Sequence, residues 1–286
     1  MASKGLYLMK RLTRFSFCVV LLLTGCSPQS LFYYPNRQMY GDPTTFRLAY
    51  DTIQYPSLNG KKLWGILIRT EQKPKGTVVH FHGNYGNVSN HFPLSVFLVK
   101  NGFDVLIFDY EGYGASEGHP TPKRTLEDGI ATVRYAQAHL RDPRTGVVVF
   151  GQSLGGAVAI VVTAQEPLVK AVVIEAAFSS YSKMGKEVLQ RNAWTWLFSW
   201  LAPLFLGHRY DPVRYVADIA PRPVYFIHGD ADRIVPVHMS RDLYEQAREP
   251  KKLWIIEGAD HLESRRAAGK KYDEEIVRFF TQALSR

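Results

Sequence analysis

One short stretch constrains the fold more than any other: a strand, a glycine-flanked turn and a helix follow one another over residues 145–164. Residues 145–150 are mostly β-branched or aromatic, which is typical of a buried strand. The turn reads Gly151-Gln152-Ser153-Leu154-Gly155-Gly156, and small apolar residues follow over the length of a packed helix. Glycines two positions either side of Ser153 permit a turn too tight for other residues. The pattern predicts that the Ser153 hydroxyl is presented at a helix N-terminus, where anions are favoured.

A serine hydroxyl becomes a good nucleophile when a base accepts its proton and an acid orients that base. A polar turn after one apolar run contains Asp230 and Asp232, and His261 follows the next apolar run. Loops at strand ends carry the catalytic groups of open α/β sheets, and the order serine, acid, histidine is typical of one such architecture. We therefore predict Ser153 as nucleophile, His261 as base and Asp232 as acid. Asp230 is the competing acid, and we assign it to the turn.

A second loop completes the candidate site. The apolar run 77–81 leads into His82-Gly83-Asn84-Tyr85-Gly86-Asn87, at the position from which such sites donate a second N–H to an oxyanion. We assign the oxyanion hole to the backbone N–H groups of Leu154 and Asn84, each worth roughly 3 kcal/mol in a transition state. His82 is predicted to brace the loop. No metal or cofactor is expected, because the histidines, cysteines and carboxylates lack metal-ligand spacing.

These segments together resemble the α/β-hydrolase superfamily, and most closely a single-domain branch that includes eukaryotic protein depalmitoylases and bacterial serine hydrolases. The resemblance runs from about residue 45 to the C-terminus. It rests on the oxyanion loop His82 to Asn87, the segment Asp109-Tyr110-Glu111-Gly112-Tyr113-Gly114-Ala115-Ser116-Glu117-Gly118, the turn Gly151 to Gly156, and the run His228 to Pro236. The resemblance implies an α/β-hydrolase fold, a serine hydrolase activity and no cofactor.

The sequence departs from that family in two places. Glu111 stands where the family usually has arginine, which puts a structural ion pair in question. Residues 180–215 match no part of the pattern and lie where these folds carry a lid. That segment holds Trp194, Trp196 and Trp200, three of the five tryptophans of the chain. Two interpretations stay open: ordinary packing against the domain, or a functional surface that forms an acyl-pocket wall or a membrane-facing lid.

Apolar runs alternate with helical patterns over residues 46–286, which we interpret as one domain. This alternation predicts a mostly parallel, doubly wound sheet with helices on both faces and a small helical lid at about 180–215. Strands are predicted at 46–55, 62–69, 77–81, 105–109, 147–150, 171–175, 224–228 and 253–256. Helices are predicted at 93–101, 122–139, 154–163, 237–246 and 272–284.

The N-terminus has the pattern of a targeting signal. Lys10, Arg11 and Arg14 precede the apolar run 15–23, which is too short to span a bilayer. The run ends in Leu23-Thr24-Gly25-Cys26, which resembles the bacterial lipobox. That resemblance implies removal of residues 1–25, lipidation of Cys26 and, because Ser27 and not aspartate follows, sorting to the outer membrane of a double-membraned bacterium. Residues 26–45 would form a tether. An uncleaved anchor or a buried strand is the alternative, and Met9 is a second candidate start.

Removing residues 1–25 takes away four basic residues and no acid, which lowers the formal net charge from +9 to +5. This balance allows loose attraction to anionic lipid surfaces. No nucleic-acid-binding motif is present, so nucleic acid is not an expected partner. A basic cluster after His261 is interpreted as a solvated face, with attraction of anionic substrates as the alternative; it comprises Arg265, Arg266, Lys270 and Lys271.

The sequence thus predicts a lipid-anchored serine hydrolase of the bacterial cell envelope that acts on small-molecule or acyl substrates, namely carboxylic esters or thioesters. A peptidase of the same fold and a catalytically silent envelope binding protein are the alternatives. The substrate and the oligomeric state are left open, because a fold does not name a substrate.

Overall fold

The computed structural model describes residues 32–191 and 193–285. The proposed signal sequence and Cys26 lie outside these ranges. Ten strands are present in the described part: β1 (Tyr34–Pro35), β2 (Tyr50–Pro56), β3 (Lys62–Ile68), β4 (Thr77–Phe81), β5 (Tyr85–Gly86), β6 (Asp104–Asp109), β7 (Val147–Gln152), β8 (Val169–Glu175), β9 (Val224–Gly229) and β10 (Lys251–Ile256).

The helices are α1 (Val88–His91), α2 (Val96–Lys100), α3 (Pro122–Ala138), α4 (Leu154–Gln165), α5 (Tyr181–Gln190), α6 (Ala193–Trp196), α7 (Ala202–Leu206), α8 (His238–Gln246), α9 (Ser264–Ala268) and α10 (Lys270–Leu284). Short 3₁₀ turns occupy Pro43–Phe46, Phe92–Ser95, Ser199–Leu201, Pro212–Arg214 and Val216–Ile219. Within the described ranges, no helix combines the length and apolar character needed to cross a membrane.

Eight strands form one sheet in the order β10-β9-β8-β7-β4-β6-β3-β2. Only the β2–β3 and β3–β6 pairs are antiparallel; the other strands of this sheet run parallel. Two buried apolar clusters, one containing Val79, Val149 and Phe226 and the other Val78, Val148 and Tyr225, alternate along the same strands and therefore lie on opposite faces. The predicted mostly parallel sheet covered by helices is confirmed.

The structure corrects one predicted strand and one predicted helix by more than a small shift of their ends. The strand predicted to start at residue 46 starts at Tyr50, because Asp42 caps a 3₁₀ turn over Pro43–Phe46 and Arg47 takes a left-handed conformation with φ 58°. The helix predicted over 93–101 is divided into the 3₁₀ turn Phe92–Ser95 and α2.

The parallel strands direct their carboxyl ends to one edge of the sheet, where the turns after β4, β7, β9 and β10 meet. The helices α5, α6 and α7 follow β8 and cover part of this edge; we call residues 181–206 the cap. Ligands bind at this edge in open α/β sheets.

Candidate active site

Ser153 occupies the turn between β7 and α4 with φ 54° and ψ −122°, a conformation that residues with a side chain rarely adopt. The turn is held by the Ser153 N–H, which donates to the Glu175 carbonyl at 2.9 Å. A methyl group on Gly155 would collide with the carbonyl oxygens of Phe81 and His82. Glycine at this position therefore lets the start of α4 approach β4 closely enough to form the turn.

His261 lies between Ser153 and Asp232. Its Nε2 is 3.0 Å from Ser153 Oγ, and its Nδ1 is 2.7 Å from Asp232 Oδ2. The side chain of Asp232 is fully buried, whereas that of His261 is partly exposed. These are hydrogen-bond distances, so the three side chains form a relay in which His261 can accept the serine proton and Asp232 can orient His261.

Asp232 contacts other groups besides His261. Its Oδ1 accepts the N–H groups of Ile234 and Val235, both at 2.8 Å, and its Oδ2 lies 3.2 Å from His228 Nε2. Burial raises the pKa of Asp232, but hydrogen bonds from His228, His261 and the backbone outweigh it and bring the pKa below its usual range. Asp232 is therefore ionised when it orients His261.

Sequence reasoning gave His228 no role, yet it supports the acid. Its Nε2 lies 2.9 Å from the Val235 carbonyl, which only accepts, so this nitrogen carries the proton. Its Nδ1 then accepts the Ser240 hydroxyl at 2.6 Å. The buried ring is thereby oriented with its N–H toward Asp232. The His-Gly pair at the end of β9 was the available signal.

Asp230, the competing acid, points elsewhere. Its Oδ1 accepts the N–H of Gly258 at 2.7 Å and so joins the turn after β9 to the turn after β10. The structure therefore brings Asp232, and not Asp230, to His261.

The two predicted oxyanion donors belong to residues near Ser153: Leu154 follows it in the sequence, and Asn84 follows Gly83, which lies beside it. Leu154 is the first residue of α4, so its N–H has no acceptor within the helix. Gly83 lies beside Ser153, since a Cβ on Gly83 would stand 3.8 Å from the Ser153 Cβ. His82 Nδ1 donates to the Gly83 carbonyl at 2.7 Å, and in a trans peptide the N–H of Asn84 points the opposite way. His82 therefore sets the direction of the Asn84 donor.

His82 is not arranged as a second base. It is fully buried, it stacks on His91 at 5.1 Å between ring centroids, and burial lowers its pKa well below the usual value. Nearby, burial raises the pKa of Asp109 to about 7. A neutral histidine whose Nδ1 proton is already donated serves the loop, as predicted.

Residues 32–38 support the oxyanion loop from outside the eight-stranded sheet. Strand β1 pairs in parallel with β5, and the Tyr34 N–H donates to the Asn84 carbonyl at 2.9 Å. The Asn87 side chain donates to the carbonyls of Asn36 and Gln38 at 2.9 and 2.7 Å. We call residues 32–38 the brace. This part of the predicted tether is thus built into the domain beside the site.

Glu111, which stands where the resemblance leads us to expect arginine, takes part in an ion pair. Its Oε2 lies 2.8 Å from Arg124 Nη1, and its N–H donates to Asp128 Oδ2 at 2.9 Å. The positive partner of this loop therefore comes from the first turn of α3.

The cap places Trp194, Trp196 and Trp200 on its outer surface. They do not pack into the domain core, so the first of the two open interpretations does not describe them. The end of α5 lies at the turn after β9, because Arg191 Nη2 donates to the Ile234 carbonyl at 2.5 Å.

An open cleft of about 340 Å³ lies beside His261 and is lined by Arg233, Ile234, Asp260, His261 and Glu263. Part of the basic cluster after His261 is paired on the surface: Arg265 with Asp273 at 2.7 Å, and Arg266 with Glu263 at 2.5 Å. No group of three metal-ligating side chains is arranged to hold a metal within 32–191 and 193–285.

Comparison with solved structures shows the same architecture. The Pyrococcus furiosus esterase Pf2001 superimposes with a TM-score of 0.75 at 22% identity, over 88% of this chain and 98% of the esterase. Est1E from Butyrivibrio proteoclasticus, solved with ferulic acid bound, gives a TM-score of 0.64 at 21% identity, over 82% of this chain and all of Est1E. At these identities the likeness establishes the α/β-hydrolase fold alone.

Sequence relatives extend over nearly the whole chain. The protein YfhR of Escherichia coli (strain K12) is 30% identical over 278 residues, which cover 94% of this chain and 92% of YfhR. Protein bem46 of Schizosaccharomyces pombe is 29% identical over 72% of this chain and 69% of its own length. The family model described as "Serine aminopeptidase, S33" matches residues 72–219, more than half of the 286 residues. The chain therefore belongs to this Hydrolase_4 family of α/β-hydrolases.

Proposed function

We propose that the protein is a lipid-anchored serine hydrolase of the bacterial cell envelope that cleaves carboxylic esters or thioesters through an acyl-enzyme intermediate. The observation that carries the hydrolase activity is the Ser153–His261–Asp232 relay, with distances of 3.0 and 2.7 Å at a strained strand-to-helix turn. The lipid anchor rests on the lipobox resemblance of residues 23–26. The esterase named among the structural neighbours agrees with it.

In the proposed reaction, Ser153 Oγ attacks the acyl carbon as its proton moves to His261 Nε2. The carbonyl oxygen becomes an oxyanion that accepts the N–H groups of Leu154 and Asn84. Collapse breaks the bond to the leaving oxygen or sulfur, which takes the proton from Nε2. Water then gives a proton to His261 and attacks the acyl-enzyme, which releases the acid and restores Ser153.

The family description names an aminopeptidase, which makes peptide hydrolysis the second candidate. An aminopeptidase must hold the ammonium group of its substrate, and a free carboxylate is the usual partner. The two carboxylates that line the cleft beside His261 are already paired, Asp260 with Arg233 and Glu263 with Arg266. The charges of this cleft therefore favour an uncharged ester or thioester.

The test uses the wild-type protein in membranes. A fluorophosphonate probe should label Ser153, with the Ser153→Ala variant as the unlabelled control. A panel of acyl esters, acyl thioesters and aminoacyl amides then separates the candidates. Labelling with ester or thioester turnover supports the proposal, and preferential amide turnover supports the peptidase. An absence of labelling would favour a silent binding protein.

Cys26→Ser is expected to abolish lipidation and to block signal cleavage before residue 26, because the sulfur is the acylated atom in the lipobox interpretation. Metabolic labelling with palmitate and membrane fractionation measure this. The chain has two cysteines, so Cys18→Ser is the matched control and should leave labelling unchanged. A wild-type protein found entirely in the soluble fraction would contradict the anchor.

His228→Phe is expected to lower kcat for ester hydrolysis between about 10- and 100-fold, since one hydrogen bond to a charged partner is worth roughly 1.5–3 kcal/mol. The ring shape is kept, but the N–H directed at Asp232 is lost. Ser240→Ala removes a hydrogen bond to the same ring without touching Asp232 and should cost much less. Equal losses in the two folded variants would remove His228 from the support of the acid.

A further inference from the structure

The cap carries an apolar surface that faces outward. Residues 193–206 contain no charged side chain. Within them Trp196 is 55% exposed, Trp200 70% and Leu204 75%. We call this surface the aromatic face; it is formed by Trp194, Trp196, Leu197, Trp200, Leu204 and Phe205. Exposed large apolar side chains so close together in the sequence are unusual on a soluble surface, and such groups mark interaction sites.

The opposite side of the same helices is packed against the protein. Ser199, Ala202 and Leu206 are buried, and Leu206 lies so close to Gly185 of α5 that a methyl group there would collide with it. The inner contacts of the cap are therefore already made. This packing sets the outward orientation of the tryptophans. An amphipathic helix that lies on a membrane interface likewise has one packed side and one exposed apolar side.

The segment that precedes the aromatic face contacts the turn that lines the cleft beside His261. The aromatic face begins directly after α5, whose end is joined to the Asp232 loop by the hydrogen bond from Arg191 to Ile234. Glu187 of α5 and His238 at the start of α8 form a second contact at 3.3 Å. The aromatic face thus follows directly, along the chain, from a helix whose end is held at the loop that contains Asp232 and Ile234.

The start of the described chain lies at the base of the cap. The Phe32 ring packs against the rings of Phe178 and Tyr181 at 5.8 and 5.1 Å, and Tyr33 and Tyr181 share a hydrogen bond of 3.1 Å between their hydroxyls. Cys26 precedes Phe32 by six residues, which span about 20 Å at most. A lipid on Cys26 would therefore enter the membrane within about 20 Å of the base of the cap.

We propose that the aromatic face docks on the phospholipid bilayer that carries the Cys26 anchor, and that Ser153 takes its acyl substrate from that bilayer. The proposal rests on the anchored hydrolase proposed above. Tryptophan is one of the residues favoured at the membrane interface, and residues 181–210 carry four basic side chains against one acidic. Lys183 is paired with Asp242, and the positive excess that remains suits an anionic lipid surface. Lys186 and Arg209 stand before and after the uncharged stretch.

Tryptophan quenching by brominated lipids tests the docking directly. The lipidated protein is reconstituted into vesicles of phosphatidylethanolamine and phosphatidylglycerol with bromine on the acyl chains. The variant Trp64→Phe/Trp254→Phe keeps the three cap tryptophans and should be strongly quenched. The matched variant Trp194→Phe/Trp196→Phe/Trp200→Phe keeps the two partly buried tryptophans of the domain and should not be. Unquenched cap tryptophans would overturn the proposal, and so would equal quenching of both variants. Unquenched cap tryptophans are also expected if a second copy of the chain covers the aromatic face.

An activity measurement tests the substrate source. Trp196→Ser/Trp200→Ser should lower the ratio of vesicle-embedded long-chain ester hydrolysis to soluble acetate ester hydrolysis by about tenfold. Leu168→Ser, an exposed apolar residue at the opposite edge of the sheet, should leave the ratio unchanged. If the folded cap variant has an unchanged ratio, delivery of the substrate from the membrane is overturned, but the proposed hydrolase activity is not. A wild-type protein that hydrolyses neither ester instead overturns the proposed function, and quenching still reports on the docking.

Discussion

Ser153→Ala is expected to lower ester hydrolysis by about 10⁵- to 10⁶-fold, because nucleophile and base act as a unit and only binding and the oxyanion donors remain. The fold should be unaffected. Alanine and serine meet the same backbone strain at φ 54°, and the Ser153 N–H that holds the turn is retained. Steady-state kinetics on a soluble ester and thermal unfolding measure the two effects separately.

His261→Ala should cost nearly as much as Ser153→Ala, and the double variant little more than either. Variants of independent residues would instead multiply their effects. A Ser153→Ala protein that keeps even a tenth of the wild-type rate would show that another group is the nucleophile.

Asp232→Asn is expected to lower turnover on the order of 10⁴-fold through the tautomer of His261. Asp232 Oδ1 accepts two backbone N–H groups, so the asparagine oxygen keeps that position and the amide nitrogen faces His261 Nδ1. An amide N–H there favours the imidazole with its proton on Nε2, which no longer accepts a proton from Ser153.

Asp230→Asn is the matched control for the acid. Its Oδ1 accepts the Gly258 N–H, and an asparagine oxygen accepts the same hydrogen bond, so the loop should persist and turnover should change little. A greater loss at Asp230 than at Asp232 would reverse the assignment, and equal losses would show that both variants act through the shape of the loops.

The sequence was most informative where local geometry and chemistry require particular residues. The β-branched runs located the parallel strands, and the glycines around Ser153 located the turn, because few other residues fit it. The turns after β9 and β10 could be recognised as candidate catalytic loops, because catalytic loops follow strand ends in such sheets. Interactions between residues far apart in the sequence could not be predicted from the sequence. His228 supports Asp232 through a contact that depends on Ser240 and Val235, and Glu111 depends on Arg124.

Two further features could be recognised only in the three-dimensional structure. An apolar run has the same composition whether it is buried or exposed, so the sequence left the role of the cap tryptophans open until the buried inner side of the cap was seen. Likewise, β1 is two residues long and carries no periodic pattern. Its pairing with β5 depends on the position of the oxyanion loop and not on any local preference.

The brace lies directly between the proposed anchor at Cys26 and the candidate active site. A protease that cuts within residues 27–31 would release a domain that keeps the hydrogen bond from Tyr34 to Asn84. A cut a few residues later, after Asn36, would remove β1 and free the loop that carries the Asn84 donor. Cleavage that removes the proposed anchor would thus yield a diffusible hydrolase or an impaired one, depending on a shift of fewer than ten residues in the cleavage site. Proteolysis would relocate the activity in the first case and impair it in the second.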